Sequence, residues 1–411
     1  MTTNPSEVDG RYALRGIRVV DFTWIHAGPS ATRILADQGA EVIKIESNFA
    51  LAVAGGPAPQ TPRGIGQRHN WNVGKLSLSL NMRTPQGIAI AKRLVAVSDV
   101  VAENFSGRVM PRWGMDYESL RRIKPDVIML SMSGLGRTGP WSDFVSYGQT
   151  LQAWSGLSYL TGFPDTDPSG PASAYCDAVG GMSGAQAVLL ALIHRARTGQ
   201  GQWIDLSQFE ALSALMETLF LDLSVNNRGG AVQRTGNRLP YGSGGPHGVY
   251  RCRGDEHWVA IAVFTDDEWS AFVQAIDSPS WAVNDCYATT QGRQRDADEL
   301  DRLVESWTAE HTPEEVMHRL QEAGVAAGVV QSGIDLQNDP QLRERGFFRQ
   351  VPDDQGVLRT IENAPYKLSR TPGGAVRGAP TFGAHQDYVL RDILGMSDDD
   401  LTECAIEGVF D

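Results

Sequence analysis

The chain has 411 residues, of which 41% are hydrophobic and 21% are charged, a composition typical of a globular enzyme with two domains. Its formal net charge of −13 argues against nucleic acid as a partner, because phosphate neutralisation requires basic surface. The four cysteines form no CxxC pair, and the polar N-terminus lacks a signal core, so we expect free thiols and a cytoplasmic location. We expect no membrane partner, because no apolar run reaches the ~18 residues of a membrane helix.

The first elements in chain order form a βαβ unit. Residues 16–22 are apolar and β-branched, which predicts a buried strand, and residues 27–40 follow with Pro29 near the start of a predicted helix and Gly39 at its end. Residues 41–46 predict a second strand. A helix enclosed by two strands in this way favours a parallel sheet.

The same alternation continues, with a helix predicted over residues 84–97 and strands over residues 98–105 and 125–134. This pattern predicts an α/β fold with a Rossmann-like, doubly wound parallel sheet. The first strand is followed by neither GxGxxG nor a P-loop sequence, which argues against a nicotinamide dehydrogenase or an NTPase.

Two helices and a glycine-rich segment follow. Residues 177–197 predict a buried helix, and residues 211–223 predict a long apolar helix. Glycines concentrate over residues 226–248, which predicts a domain boundary. We therefore predict a large domain over residues 1–225, a small α/β domain over 226–330, and a C-terminal segment over 331–411 that packs on the large domain.

Two local patterns support the small domain. Residues 248–263 alternate as in an antiparallel hairpin, with Gly254 and Asp255 at the turn. Residues 311–324 predict a helix, because Thr312 and Glu315 are spaced as a capping box.

Asp177 stands where a segment of small residues gives way to a helix. One interpretation is an N-cap, since aspartate accepts hydrogen bonds from free N–H groups at a helix start. The other is a nucleophilic carboxylate, with Gly180 and Gly181 allowing a bulky substrate to approach the main chain.

Other candidates also have two interpretations. His26 follows the first strand, where ligands bind in such sheets, and is either a donor to an acyl oxygen or a loop histidine bonded to a carbonyl. Tyr147 is either functional or packed. Arg108 and Arg112 flank a turn and either bind phosphates or are solvated surface charges.

The glycine-rich residues 242–248 are either a linker or a mobile lid with N–H groups for an oxyanion. Metal and hydrolase signals are weak, because the sequence has no HExxH and no GxSxG. Cys176 has no partner at the sequence level, which favours a buried structural thiol.

Taken together, these segments resemble the class III CoA-transferases, the family of formyl-CoA transferase, carnitine-CoA transferase and the bile-acid-inducible F proteins. The motifs are LRGIRVVDFTWIHAGPSATRILADQGAEVIKIE, NVGKLSLSLNMRTPQG, SDVVAENF, SGLGRTGP, YCDAVGGMSGAQAVLLALIHRARTGQGQWIDLS and NDPQLRERGFF, in the order of the family. The resemblance covers nearly the whole chain. It implies transfer of CoA between two carboxylic acids, with acyl-CoA as substrate and no permanently bound cofactor or metal.

The resemblance also implies roles for residues. Asp177 matches the catalytic aspartate, and His26 matches an active-site glutamine of formyl-CoA transferase. We assign the substrate lid to Gly242, Gly244, Gly245 and His247. We assign CoA binding to Ala27, Lys75, Asn104, Phe105, Arg108 and Arg112. Ser47 replaces an arginine of formyl-CoA transferase, and Leu76 replaces the second residue of a basic pair, so contacts to the nucleotide end of CoA are expected to differ.

The family also contains α-methylacyl-CoA racemases, which we keep as an alternative. Tyr147 lies where the racemases have a catalytic histidine and formyl-CoA transferase has a tyrosine. A tyrosine with a pKa near ~10 is a poor base at pH 7, which favours transfer.

The resemblance implies an interlocked, ring-like homodimer, or a heteromer with a homologous subunit. A CoA-binding partner subunit without activity is a further alternative, against which the intact Asp177 argues. Residues 246–263 resemble transferases for aromatic and dicarboxylic acids, including succinyl-CoA:benzylsuccinate CoA-transferase. They suggest succinyl-CoA as donor and an aromatic or dicarboxylic acid as acceptor.

Overall fold

The computed structural model describes residues 12–47, 62–226, 234–239 and 244–410. The chain divides into two compact units. The larger contains the described residues up to 158, 170–226 and 341–410, and the smaller contains 159–169 and the described residues from 234 to 340. The sequence-based boundaries near residues 225 and 330 stay predictions about domains that fold independently.

The larger unit is built on six parallel strands in the order β3-β2-β1-β4-β5-β6, which is the doubly wound order and confirms the predicted fold class. The strands are β1 Arg18–Asp21, β2 Glu41–Glu46, β3 Leu76–Ser79, β4 Val100–Glu103, β5 Ile128–Ser133 and β6 Trp203–Ser207.

Helices cover both faces of this sheet, because alternate residues of the central strands are apolar on either side. Val19 belongs to the hydrophobic cluster of one face and Val20 to that of the other, and both are fully buried. The helices are α1 Ala27–Asp37, α2 Pro62–Asn72, α3 Pro85–Ala96, α4 Val109–Arg112, α5 Tyr117–Ile123, α6 Gly148–Trp154, α7 Leu157–Leu160, α8 Tyr175–Thr198, α9 Gln208–Ser213 and α10 Glu217–Asn226.

Two features of these helices bear on the sequence analysis. The predicted helix over 211–223 is divided, because a 3₁₀ turn at Ala214–Met216 separates α9 from α10. The 24-residue α8 has the length and hydropathy of a membrane span, with 44% of its apolar window buried. Its buried small residues pack against α1, while Leu190 and Ile193 are exposed, so the helix predicted to be buried is buried on one face only.

The smaller unit has a three-stranded antiparallel sheet in the order β7-β8-β9. Its elements are β7 His247–Arg251, β8 Trp258–Ala262, α11 Asp266–Ala275, α12 Thr290–Arg295, α13 Ala297–Thr308, α14 Pro313–Glu322, β9 Ala326–Val329 and α15 Gly333–Asn338. The predicted hairpin is present, and Thr312 and Glu315 form the predicted capping box of α14.

The C-terminal segment completes the larger unit. Helix α16 (Pro340–Glu344) precedes the antiparallel hairpin of β10 (Phe348–Pro352) and β11 (Leu358–Glu362). A π-helical turn at Tyr388–Ile393 and α17 (Asp398–Ile406) follow, and Val389, Leu390 and Val409 join the core on one face of the large sheet.

Candidate active site

The carboxyl edge of the large sheet carries a row of buried acidic residues. Strands β1, β2 and β4 each end at a carboxylate that is paired with a cation. The pairs are Asp21 with Lys75, Glu46 with Arg68, and Glu103 with Arg137. Since β1 and β4 flank the point where the strand order reverses, ligands of such folds bind above this row.

Asp177 lies above this edge in the first turn of α8. The N-cap of α8 is Ala174, and the main-chain N–H of Asp177 donates to the carbonyl oxygen of Ala174 at 3.0 Å. The N-cap interpretation of Asp177 is therefore wrong, because the residue lies inside the helix. Asp177 is the acidic residue of the first turn of this helix.

The structure brings Asp177 and His26 together. His26 is the N-cap of α1, and its Nδ1 lies 3.5 Å from Oδ2 of Asp177. The side chains are 22% and 16% exposed, so both are accessible to a substrate. The imidazole stacks on Trp71 with ring centroids 4.4 Å apart, which fixes its plane. A carboxylate and an imidazole nitrogen thus border the same accessible space.

Glycines of α8 allow this approach. A Cβ on Gly181 would lie 2.8 Å from Cβ of Ser30 and 3.1 Å from the carbonyl oxygen of Ala27, both on α1. A Cβ on Gly180 would lie 3.0 Å from Gln208. These glycines therefore make room for neighbouring helices, and the expectation that they make room for substrate is wrong. Ala27 is buried in the same contact.

Helix α6 supports the start of α8 from another side. The side-chain oxygen of the buried Gln152 accepts a hydrogen bond from the N–H of Tyr175 at 2.7 Å. A Cβ on Gly148 would lie 3.5 Å from Oδ2 of Asp177, so the first residue of α6 borders the carboxylate. Sequence reasoning missed Gln152 and Trp71, because an isolated glutamine or tryptophan carries no spacing signal.

The thiol of Cys176 is structural, as predicted. It is buried, and Sγ donates to the carbonyl oxygen of Gly148 at 3.3 Å. Burial and the neighbouring charge of Asp177 raise the pKa of Cys176 to about 12, so the thiolate is absent at neutral pH.

Tyr147 precedes Gly148 and is the N-cap of α6. Its main-chain N–H donates to Oγ1 of Thr150 at 2.9 Å, while its side chain is 62% exposed. The phenol is thus available at the border of the site, and a catalytic role for it stays a prediction.

Asn104 and Phe105 follow β4, where CoA contacts were expected. The amide of Asn104 exchanges two hydrogen bonds with the main chain of Trp24, each 2.9 Å long. The ring of Phe105 packs against Trp24 and Trp113, with centroid distances of 6.1 and 5.6 Å. Both side chains therefore organise the edge of the sheet.

Lys75 is not placed to bind CoA, which contradicts the sequence-based assignment. The side chain is fully buried, and its ammonium donates to Asp21, the carbonyl oxygen of Pro29 and Asn72 at 3.0, 3.0 and 3.2 Å. Burial lowers the pKa of Lys75 to about 8, although the negative charge of Asp21 acts to raise it. Burial would raise the pKa of Asp21, but Lys75, Lys44 and two hydroxyl donors lower it to about 2. Lys75 is thus an internal counter-ion.

The arginines after β4 lie at the surface. Arg108 forms an exposed ion pair with Asp143 at 3.2 Å, and Arg112 is exposed in the last turn of α4. An exposed pair of this kind contributes little stability, so Arg108 can exchange partners at low cost. Phosphate binding by these two residues stays a prediction.

The predicted lid belongs to the smaller unit, apart from Gly242, which lies outside the described residues. Gly244 has φ of +104°, and the N–H of Gly245 donates to the carbonyl oxygen of Val263 at 2.8 Å. This bond contradicts the expectation of a free N–H at Gly245 for an oxyanion. Nδ1 of His247 lies 2.8 Å from the carbonyl oxygen of Asn237. Within the described ranges, no three His, Cys, Asp or Glu side chains are grouped to hold a metal ion.

The chain belongs to CoA-transferase family III, whose family model matches residues 14–386. Succinyl-CoA–D-citramalate CoA-transferase of Chloroflexus aurantiacus is 34% identical over 399 residues, covering 94% of this chain and 96% of that protein. The beta subunit of succinyl-CoA–L-malate CoA-transferase from the same organism is 31% identical, covering 95% and 96%. The crystal structure of a CAIB/BAIF family protein from Brucella suis has a TM-score of 0.84 and 30% identity, covering 93% and 99%. These relationships support CoA-transferase activity with CoA thioesters as substrates.

Proposed function

We propose that this protein transfers CoA from a donor acyl-CoA to an acceptor carboxylic acid, with Asp177 as the covalent nucleophile. The observation that carries the proposal is the placement of Asp177 in the first turn of α8, 3.5 Å from Nδ1 of His26. Among the described residues, no main-chain N–H donates to this carboxylate, and its side-chain partners are the thiol of Cys176 at 3.9 Å and Nδ1 of His26 at 3.5 Å, so no short hydrogen bond restrains its oxygens.

The first half of the reaction forms an enzyme-bound thioester. The Asp177 carboxylate attacks the thioester carbonyl carbon of the donor, and the C–S bond breaks. CoA thiolate departs, and a mixed anhydride between Asp177 and the donor acid remains. The thiolate then attacks the acyl carbon of Asp177 and releases the donor as a free carboxylate. Covalent catalysis of this kind divides one difficult step into easier ones.

The second half reverses these steps with the acceptor. The acceptor carboxylate attacks the aspartyl thioester, thiolate leaves, and a new mixed anhydride forms. Thiolate attack on the acceptor carbonyl then restores the Asp177 carboxylate and releases the new acyl-CoA. One thioester replaces another, so the sequence requires neither ATP nor a net proton.

His26 is the proposed oxyanion donor. Each attack places negative charge on a carbonyl oxygen, and a donor directed at that oxygen typically contributes about 3 kcal/mol in the transition state. Stacking on Trp71 holds the imidazole before substrate arrives. Tyr147 borders the same site, and Arg108 and Arg112 are the proposed phosphate contacts. Gly242, Gly244, Gly245 and His247 stay the proposed lid, whose role would be to exclude water from the anhydride.

The named relatives guide the choice of substrates. Two of them are named for succinyl-CoA as donor and for D-citramalate or L-malate as acceptor. We therefore propose succinyl-CoA as the donor and a dicarboxylic acid as the acceptor, with an aromatic acid as the alternative. The acceptors to compare are D-citramalate, L-malate, glutarate and benzylsuccinate.

The test is intact-protein mass spectrometry after mixing with succinyl-CoA, followed by hydroxylamine treatment and peptide mapping. We expect a CoA adduct and a hydroxamate on the peptide carrying Asp177, both lost in Asp177→Asn. Steady-state transfer by that variant should fall by roughly 10³-fold or more, since the covalent route is removed. Cys176→Ser controls for modification of the neighbouring thiol and should keep the adduct.

The racemase alternative has a separate readout. If succinyl-CoA and several other acyl-CoAs leave Asp177 unmodified, the transferase proposal fails. Exchange of deuterium at the α-carbon of a 2-methylacyl-CoA would then identify a racemase.

A further inference from the structure

The segment between β1 and α1 carries His26 to Asp177, and buried side chains hold its main chain. Oδ1 of Asp21 accepts the N–H of Thr23 at 2.9 Å and its hydroxyl at 2.5 Å. The carbonyl oxygen of Thr23 accepts from Nζ of Lys44 at 2.6 Å. Asp21, Thr23 and Lys44 are all buried. Both main-chain polar groups of Thr23 are therefore fixed away from water.

Asn104, which follows β4, fixes the main chain of Trp24, the residue after Thr23. Its Oδ1 accepts the N–H of Trp24, and its Nδ2 donates to the carbonyl oxygen of Trp24. The N–H and C=O of one residue belong to successive peptide planes. One amide side chain therefore sets the orientation of both planes that flank Trp24.

Ile25 has a left-handed main chain with φ of +64°. This conformation costs about 1–2 kcal/mol for a side chain with a Cβ, and a β-branched residue is a clear outlier there. The side chain is 44% exposed, so packing does not enforce the conformation. The restraint comes from either side, through Asn104 at Trp24 and through the carbonyl oxygen of His26, which accepts from the N–H of Ser30 in α1 at 2.9 Å.

The buried ammonium of Lys75 links this segment to the ring on which His26 stacks. It joins Asp21 to the carbonyl oxygen of Pro29 in α1 and to Oδ1 of Asn72, the last residue of α2. Trp71 precedes Asn72, so the same cation fixes the anchor of the segment and the end of the helix that carries Trp71.

We propose that Asn104 is a positioning residue for CoA transfer. Through Trp24 it holds Ile25 in the left-handed conformation and so presents the imidazole of His26 to the reacting carbonyl beside Asp177. This inference rests on the proposed function, in which Asp177 is the nucleophile. It differs from a direct contact with CoA, because the amide hydrogen bonds of Asn104 are made to Trp24.

The kinetic test compares Asn104→Ala with wild type using succinyl-CoA and one acceptor. We expect kcat to fall by about 10–100-fold, because a small misplacement of a catalytic group has effects of this size. KM for succinyl-CoA should stay within about threefold. Asn104→Asp keeps the acceptor for the Trp24 N–H and should recover part of kcat.

Asn81→Ala is the matched control. The amide of Asn81 also bonds the main chain on both sides, accepting from Arg83 and donating to Gly408, and it follows β3. This variant should lower the melting temperature while leaving the kcat of folded enzyme unchanged.

Ile25→Gly provides a second variant that does not depend on the folding of Asn104→Ala. Glycine tolerates positive φ, so the melting temperature should equal or exceed that of wild type. We expect kcat to fall by about tenfold, because glycine at position 25 no longer restrains the main chain that leads to His26. The double variant should be no slower than Asn104→Ala, since both changes release the same segment.

NMR of the His26 ring protons provides a readout that does not require activity. The ring current of Trp71 shifts these protons in wild type, and both variants should move them towards the positions of a free imidazole. If wild type forms no adduct on Asp177, the proposed function fails while this measurement still tests the positioning.

Two results would overturn the inference. One is a tenfold or larger rise in KM for succinyl-CoA with unchanged kcat in Asn104→Ala, which would show a direct contact with CoA. The other is unchanged kcat and unchanged His26 resonances in Ile25→Gly, which would show that the restrained conformation is not used.

Discussion

Asp37 is the last residue of α1, and its carboxylate lies in an unfavourable environment. Burial raises the pKa of Asp37 to about 6, although Arg33 and Lys75 act to lower it. The negative end of the helix dipole opposes the charge as well. Between about pH 4 and pH 6 the folded chain holds this proton while the unfolded chain has lost it. The folded state therefore loses stability as the pH rises through this window.

Asp37→Asn should remove this loss. Relative to wild type, the variant should gain up to about 3 kcal/mol in free energy of unfolding between pH 4 and pH 7, measured by urea denaturation. Any constant penalty from the weakened contact with Arg33 cancels in this difference. Asp116→Asn is the control, and its change in free energy of unfolding with pH should have the opposite sign. Burial would raise the pKa of that N-cap carboxyl, but hydrogen bonds from Ser119 lower it. A pH-independent difference for Asp37→Asn would contradict the prediction.

At the scale of elements, the contact of α1 with α8 determines whether the site exists. A Cβ on Gly181 meets the main chain of α1, whereas a Cβ on Gly184 meets the flexible sulfur of Met132 at 2.9 Å and Ala31 at 3.3 Å. A methyl group at position 181 would therefore push α1 and α8 apart, whereas the side chain of Met132 can move away from a methyl group at position 184.

Gly181→Ala should therefore destabilise the fold by about 1–3 kcal/mol and lower transfer activity, because α1 must move away with His26. Gly184→Ala is the matched control on the same helix and should cost less in both respects. Thermal denaturation and kcat are the measurements. Equal effects of the two substitutions would show that helix spacing does not control the site.

At the scale of the whole molecule, apolar side chains are exposed on two helices. Leu190 and Ile193 of α8 are exposed, and so are Leu221 and Val225 of α10. The family resemblance implies a dimer, and exposed apolar side chains on these helices are compatible with an interface between subunits. We therefore propose a homodimer, with a heteromer containing a homologous subunit as the alternative.

Sedimentation and light scattering should give the mass of a dimer for the purified chain. Val225→Glu combined with Leu221→Glu should shift the population towards monomer, because a buried unpaired charge is costly. Val357→Glu, at an exposed position after β10, is the control and should leave the mass unchanged. A monomer at every concentration tested would contradict the homodimer.

The sheet could be predicted from the sequence because its signals are local. Residues 41–46 form β2 as predicted, and the helix predicted over 84–97 spans Pro85–Ala96. The division of 211–223 could not be predicted, since the apolar pattern continues through the 3₁₀ turn.

The site could be predicted only in part. Their positions made Asp177 and His26 candidates and the resemblance assigned their roles, but their proximity depends on helix packing that no local pattern encodes. Lys75 was assigned to CoA by resemblance, and its burial could not be foreseen because its carboxylate partner Asp21 is distant in the sequence. The two hydrogen bonds of Asn104 to Trp24 could not be foreseen either, because they join segments that follow separate strands, and its expected contact with CoA stays a prediction.

The meeting of α1 with α8 has a consequence for the chain as it is made. Helix α1 leaves the ribosome early, and α8 follows only after β2 to β5 have been synthesised. A nascent or partly folded chain therefore carries the carboxylate of Asp177 without the imidazole of His26 beside it. If Asp177 and His26 act together as proposed, we expect reactivity towards acyl thioesters to begin only when this long-range contact closes.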